Sequence, residues 1–112
     1  MIDRSLNYGR HVIYSFLQQS GDFETVLDIG AGKGIDLMLA RDINHHCQLF
    51  ALESYPPNVQ ILQANHIDVF HADLEKNRFS FDDGAIDIII ANQILEHTKE
   101  VFWIFHEMSR LL

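Results

Sequence analysis

The segment Val26-Leu27-Asp28-Ile29-Gly30-Ala31-Gly32-Lys33-Gly34 joins a short apolar run to a loop with glycine at every second position, and an acid stands just ahead of that loop. Glycine is needed where a backbone turns sharply and where a ligand must touch main-chain atoms with no Cβ between them. A helix that starts directly after such a loop offers free N–H groups and a partial positive charge, which suit a phosphate or a carboxylate. Two further acids follow at the ends of apolar runs. Glu53 closes Gln48-Leu49-Phe50-Ala51-Leu52-Glu53, 19 residues beyond Gly34, and Asp73 lies in Phe70-His71-Ala72-Asp73-Leu74.

Three ligand classes compete for this arrangement. A P-loop requires G-x-x-x-x-G-K-[S/T], but Lys33 sits between two glycines and Gly34-Ile35 follows, so that reading fails. A dinucleotide site prefers G-x-G-x-x-G, whereas this loop runs G-x-G-x-G. The third class is S-adenosylmethionine, whose zwitterionic amino-acid end and cationic sulfonium match a loop preceded by an acid, here Asp28. Glu53 is suitably spaced to accept hydrogen bonds from both hydroxyls of a ribose. Asp73 can take the exocyclic amino group of adenine, with Leu74 alongside the ring. Taken singly, Glu53 reads better as a solvated acid at a strand end, and Asp73 reads nearly as well as one; it is their order behind a glycine loop that favours a ligand.

The elements that must hold these residues alternate in type. Leu6, Val12, Ile13, Phe16 and Leu17 recur at helical spacing, so residues 5–19 read as an amphipathic helix closed by Ser20-Gly21. Strands are expected over 25–29, 48–53, 68–73 and 86–91. Helices are expected after Gly34, after Pro57, and over 98–112 with Thr98 as N-cap. The last helix should bury Val101, Ile104, Phe105, Met108 and Leu112, which leaves Trp103, Glu107 and Arg110 on the outer face. Such alternation implies an α/β Rossmann-like fold, a parallel sheet with helices on both faces and the strand tips converging on one rim. Residues 1–21 form an N-terminal helix packing on a cofactor-binding domain over 22–112. The chain stops on Leu111-Leu112 with no capping residue, which leads us to expect a longer natural polypeptide.

Composition narrows the setting. With 8 basic and 16 acidic side chains the net charge is −8, which makes nucleic acid an unlikely partner. The single cysteine, Cys47, excludes an internal disulfide and fits a cytoplasmic location, and no stretch reads as a signal or a membrane span. The seven histidines lack metal-ligand spacing, so no metal is expected.

Read in order, these residues resemble the class I S-adenosylmethionine-dependent methyltransferase family, in its small-molecule and ubiquinone-biosynthesis-like branch. Leu27 to Gly34 resembles its first motif, Glu53 its ribose-binding acid and Asp73 its adenine-contacting acid. Phe81-Asp82-Asp83-Gly84-Ala85-Ile86-Asp87 resembles the approach to its fourth strand. Ala91-Asn92-Gln93-Ile94-Leu95-Glu96-His97 resembles that strand's exit, and His106 to Leu112 the helix after it. The resemblance spans residues 22–112 and implies strand order 3-2-1-4, the first part of a seven-stranded sheet.

It also implies S-adenosylmethionine as cofactor and a cofactor site drawn from Asp28, Gly30, Ala31, Gly32, Gly34, Glu53, Ser54, Asp73, Leu74 and Asn92. His97 is the one candidate for a base, although a structural role at a helix start is its better reading. The expected acceptor is a small molecule, and an exposed sheet edge offers a route to a homodimer. The alternatives are a non-catalytic cofactor-binding or interaction module, and a fragment of an NAD-dependent oxidoreductase.

Overall fold

The computed structural model describes residues 4–70, 78–92 and 98–112. The chain runs α1 (Arg4–Gln19), β1 (Thr25–Ile29), α2 (Ile35–Ile43), β2 (Gln48–Leu52), α3 (Pro56–Ala64), β3 (Asp68–Phe70), β4 (Ile88–Ile90) and α4 (Val101–Leu111). The four strands form one parallel sheet in the order β3-β2-β1-β4. This is the expected α/β architecture and strand order.

Strand periodicity divides the core in two. Val26, Leu49, Ala51 and Ile90 face Leu17 of α1, Leu37 and Ala40 of α2, and Leu62 of α3. Leu27, Ile29 and Leu52 face the other way, against Phe79, Ile86 and Leu111. Both faces are therefore covered, and the strands are apolar at nearly every position, as buried parallel strands are. On the second face Phe81 packs edge to face with Phe50 and Phe70, which are tilted against each other, with ring centroids 4.8 to 6.0 Å apart.

Several expectations require correction. The fourth strand is shorter than 86–91 and runs Ile88–Ile90: the Ile86 N–H turns away to the Leu111 carbonyl, while the Asp87 N–H reaches the Thr25 carbonyl at the very start of β1. The Asp87 carboxylate in turn accepts the N–H groups of Glu24 and Thr25, 2.8 and 3.2 Å away, which fastens the start of β1 beside β4. Helix α4 begins at Val101 with Glu100 in the N-cap position, so Thr98 is not the cap; the first i to i−4 bond runs from Ile104 to Glu100. The third strand is described only over 68–70, and the expected exit carrying Asp73 and Leu74 lies outside the described residues.

The buried face of α4 also differs from the apolar stripe. Ile104, Glu107 and Leu111 are buried, whereas Phe105 and Leu112 are exposed. Trp103 is half-buried and stacks on His106. The reason is a polar clamp. Glu107 Oε1 accepts the Phe79 N–H at 2.8 Å, and Arg110 donates to Glu107 Oε2 at 2.9 Å. Arg110 also donates to the carbonyls of Phe79 and Phe81 and to the Asp83 carboxylate. With its lone pairs filled, a carboxylate that is 1% exposed can turn inward.

Two measurements test these features. The Arg110 hydrogen bonds hold the Glu107 carboxyl below the usual carboxylate range. Its contribution to stability is therefore complete above the ordinary value of about 4.3 and is lost as pH falls through the lowered one. Glu107→Gln should cost about 3–5 kcal/mol at neutral pH, the range for breaking a buried pair on one side, and the gap to the parent should narrow below about pH 4 in denaturant titrations. Gly34 has φ +85°, and a Cβ there would lie 2.6 Å from Leu62 Cδ2. Gly34→Ala should cost about 2–5 kcal/mol from left-handed strain plus overpacking. Gly84→Ala, at φ +69° with open space around it, should cost only about 1–2 kcal/mol.

Candidate functional site

The site grows from the C-terminal tips of β1, β2 and β4. After Ile29 the chain bends through Gly30, Gly32 and Gly34, all left-handed, with φ of +72°, +59° and +85°. Side-chain-bearing residues take up that conformation only at a cost. Gly30 and Ala31 donate their N–H groups to the Leu52 carbonyl at 2.9 and 3.2 Å, which moors the bend to the end of β2. The Gly32 N–H points at Glu53 and donates to its Oε2 at 2.7 Å. Oε1 of the same carboxylate accepts the N–H groups of Ser54 and Tyr55. Glu53 thus organises both the glycine bend and the entry to α3.

Helix α2 begins immediately after Gly34 and has no side-chain cap; its first described backbone bond is from Met38 to the Gly34 carbonyl. The amides of its first turn therefore lack partners within the helix. Beside this terminus lies a cavity of about 250 Å³ lined by Arg10, Asp28, the loop residues 30–33, Ile35, Asp36 and Asn92. Asp28 is 3% exposed. Burial pushes its carboxyl well above the ordinary range, and the nearby carboxylates of Asp36 and Glu53 push it further.

Of the residues expected from sequence, Asp28, Gly30, Ala31, Gly32 and Asn92 come together around this cavity, with Glu53 behind the bend and Ser54 on the exposed turn after it. Gly34 does not line the cavity. Its Cα faces Leu62 and Ile67, so it serves the helix start and its packing. Asp73, Leu74 and His97 lie outside the described residues. Among those described, no group of His, Cys, Asp and Glu is placed to hold a metal ion.

Four cavity residues were not expected from sequence: Lys33 and Ile35, which adjoin the loop glycines, and the charged pair Arg10 and Asp36. Arg10 projects from α1 and Asp36 from the first turn of α2, with Arg10 Nε 3.9 Å from Asp36 Oδ1. The signal was present: Arg10 falls at helical spacing with Ile13 and Leu17, and Asp36 with Ala40, so both charges sit on inward stripes. A second, apolar hollow of about 270 Å³ runs between α1 and β4, lined by Ile13, Phe16, Leu17 and residues 88–91, and it meets the first at Asn92.

Residues 27–112 match a family model described as a methyltransferase domain. No curated protein matches the chain in sequence. Among solved structures, the chain is similar to a Methanococcus maripaludis protein assigned as an S-adenosylmethionine-dependent methyltransferase, at 19% identity and a TM-score of 0.76 over 92% of this chain and 50% of that one. A Haloferax volcanii protein assigned as a methyltransferase, solved in complex with the Trm112 methyltransferase activator, aligns at 22% identity and 0.72, over 92% and 48%. The plantazolicin methyltransferase BpumL, solved with S-adenosylhomocysteine, aligns at 15% and 0.73, over 97% and 44%. The chain thus spans about half the length of these structures.

The raised Asp28 carboxyl makes a prediction about the ligand-free protein. The unfolded chain loses this proton at lower pH than the folded one, so stability falls as pH rises from the ordinary carboxylate range toward the raised value. Asp28→Asn removes that loss. The variant should melt higher than its parent at pH 7, with a smaller difference at pH 4; a lower melting temperature at pH 7 would show that the carboxylate is compensated.

Proposed function

The chain belongs to the methyltransferase-domain family, and on that premise we propose that it is the cofactor-binding part of an S-adenosylmethionine-dependent methyltransferase acting on a small molecule. The observation that carries this reading is the left-handed glycine bend, tied by the Gly32 N–H to the Glu53 carboxylate and opening on an acid-lined cavity. That donor set suits the cofactor. The buried Asp28 and Asp36 favour a cationic group, and the uncapped start of α2 favours an anionic one. When bound, S-adenosylmethionine supplies a methyl group already activated by its sulfonium, so no protein nucleophile is required.

The residues of this chain then have mainly positional work. Gly30, Ala31 and Gly32 let main chain approach the ligand, and Asp28 lies under the same wall. Glu53 is the acceptor for the ribose hydroxyls: its two oxygens already accept three backbone amides, those of Gly32, Ser54 and Tyr55, which fixes the carboxylate for the capacity that remains. Ser54 follows it at the rim, Gly34 shapes the bend from behind, and Asn92 faces the acceptor side. Asp73 and Leu74 are assigned to the adenine on the sequence motif. Holding donor and acceptor in line in a dry pocket can supply about 7–11 kcal/mol of the barrier. No catalytic base is assigned; His97 is a candidate on the sequence motif, with a structural role its better reading.

The apolar hollow beside Asn92 supports an acceptor with an apolar body. Within the N-terminal segment 1–21, α1 closes the cofactor domain of 22–112, a reading supported by Arg10 lining the cavity and Leu17 joining the core. A cytoplasmic setting fits the lone buried thiol of Cys47, and no helix among the described residues is long and apolar enough to cross a membrane. Pairing of a second copy is assigned to β4, whose outer edge has no strand beside it among the described residues.

Calorimetric titration with S-adenosylhomocysteine and with NAD tests the reading. S-adenosylhomocysteine should bind and NAD should not; the converse result would favour the oxidoreductase alternative. Glu53→Ala should weaken S-adenosylhomocysteine by about 1–3 kcal/mol, the scale of a lost charged hydrogen-bond partner, and an unchanged affinity would remove Glu53 from the site.

A further inference from the structure

Helix α4 carries a second apolar stripe, on the side turned away from the sheet. Ile104, Glu107 and Leu111 face inward, whereas Phe102, Phe105 and Leu112 are 91, 47 and 60% exposed. Together with Ser109, which is also exposed, they stand at intervals of three, four and three residues. At about 100° per residue all four fall within about 80° of arc, on the face opposite the buried one. A single exposed apolar side chain is ordinary, but a row of them along one helix face marks a contact.

The chemistry of the stripe restricts what covers it. None of its four residues carries a charge, on a chain whose net charge is −8. An anionic lipid surface is bound through Lys and Arg beside the apolar residues, and this stripe has neither. A charged partner face would lose hydration here with nothing to replace it. Two copies of the chain repel wherever their acidic surfaces meet, so an uncharged stripe is where they can approach. The spacing fits the same occupant. Intervals of three and four form the seam of paired helices, in which side chains of one helix fill gaps of the other. The series 102, 105, 109, 112 also reads the same in both directions. Turning a second α4 antiparallel, about an axis level with Glu107, sets Phe102 against Leu112 of the partner subunit and Phe105 against the partner subunit's Ser109. A large side chain then meets a small one near the centre, and the two ends are equivalent, as a two-fold contact requires.

We propose that two copies of this chain pair through α4, antiparallel, with Phe102 and Phe105 as the anchors of the contact. The inference is independent of the cofactor reading, and none of its residues belongs to the β4 edge. One helix a side is a small interface. A phenylalanine buries about 150–250 Å² at most, against about 800 Å² per partner in a stable complex. The pairing is therefore weak, and the dimer forms and dissociates with concentration.

Analytical ultracentrifugation over a concentration series tests this, on the full chain and on variants whose folding is checked by circular dichroism. The parent should pass from monomer to dimer. Phe102→Glu should weaken that association about tenfold or more, the scale of an interface hot spot. Phe102→Ser, which adds no charge, should weaken it as well. Neither should alter the helical signal, because the side chain replaced is 91% exposed. Mixing Phe102→Glu with Leu112→Lys should restore association, since antiparallel pairing sets the glutamate against the lysine. A parent that stays monomeric throughout the series overturns the proposal, and leaves the stripe to a different protein or to further residues of a longer polypeptide. Undiminished association in both Phe102 variants overturns it too, and assigns the second copy to β4. Weakening without rescue in the mixture refutes the antiparallel register, and the proposal with it.

Discussion

The bend after β1 is held in place by the end of β2, and the rest of the site depends on that mooring. Gly30 and Ala31 share the Leu52 carbonyl, and Gly32 donates to Glu53. These bonds exist because parallel pairing sets Ile29 level with Leu52, so the two strands finish together. A slip of one residue would turn every side chain of β1 to the opposite face. Asp28 would then enter the aromatic layer of Phe50, Phe70 and Phe81, where no group is placed to receive a charge. Register therefore decides both whether the backbone can bend and where the buried acid points.

The two faces of the sheet treat buried charge in opposite ways. On one, Glu107 and Arg110 fill each other's hydrogen-bonding capacity and the carbonyls of Phe79 and Phe81 absorb the remainder. That cluster is closed, and its effect is to fasten the last turn of α4 to the segment leading into β4. On the other, Asp28, Asp36 and Arg10 enclose a cavity with polar atoms left unpaired. A satisfied network rigidifies, while an unsatisfied one costs stability until something binds. The contrast is between a buried charge cluster that is closed by its own partners and one that is left open to a cavity.

The fold was legible where one physical signal dominated. Thr25–Ile29 is apolar at all but one interior position and is followed by glycine, so strand and bend are both evident, and Pro56-Pro57 marks the start of α3. Legibility failed where side chains at a distance overruled local pattern. Phe105 and Leu112 look like core by spacing, yet α4 turns Glu107 inward because Arg110 and the Phe79 amide await it. The start of β4 reads as continuous strand, yet Asp87 is diverted to stitch β1. Within the site, Asp28 and the glycines carried a local motif. Arg10 and Asp36 belong to no such motif and become neighbours only when α1 packs across α2.

The position of the cavity follows from the strand order. From β1 the chain moves outward through β2 to β3, then returns to the opposite side of β1 to form β4. Leu37 of α2 and Leu62 of α3 lie on one face of the sheet and Leu111 of α4 on the other. The elements leaving β1 and β4 thus diverge, and beyond their tips a crevice opens, as it does wherever strand order reverses in an open parallel sheet. Asp28 and the bend come from one lip of that crevice and Asn92 from the other. Asn92 also borders the apolar hollow under α1, so the same reversal that creates a charged pocket sets an uncharged one beside it. Two adjoining compartments of opposite character thus meet at one amide, and both owe their place to the same reversal of strand order.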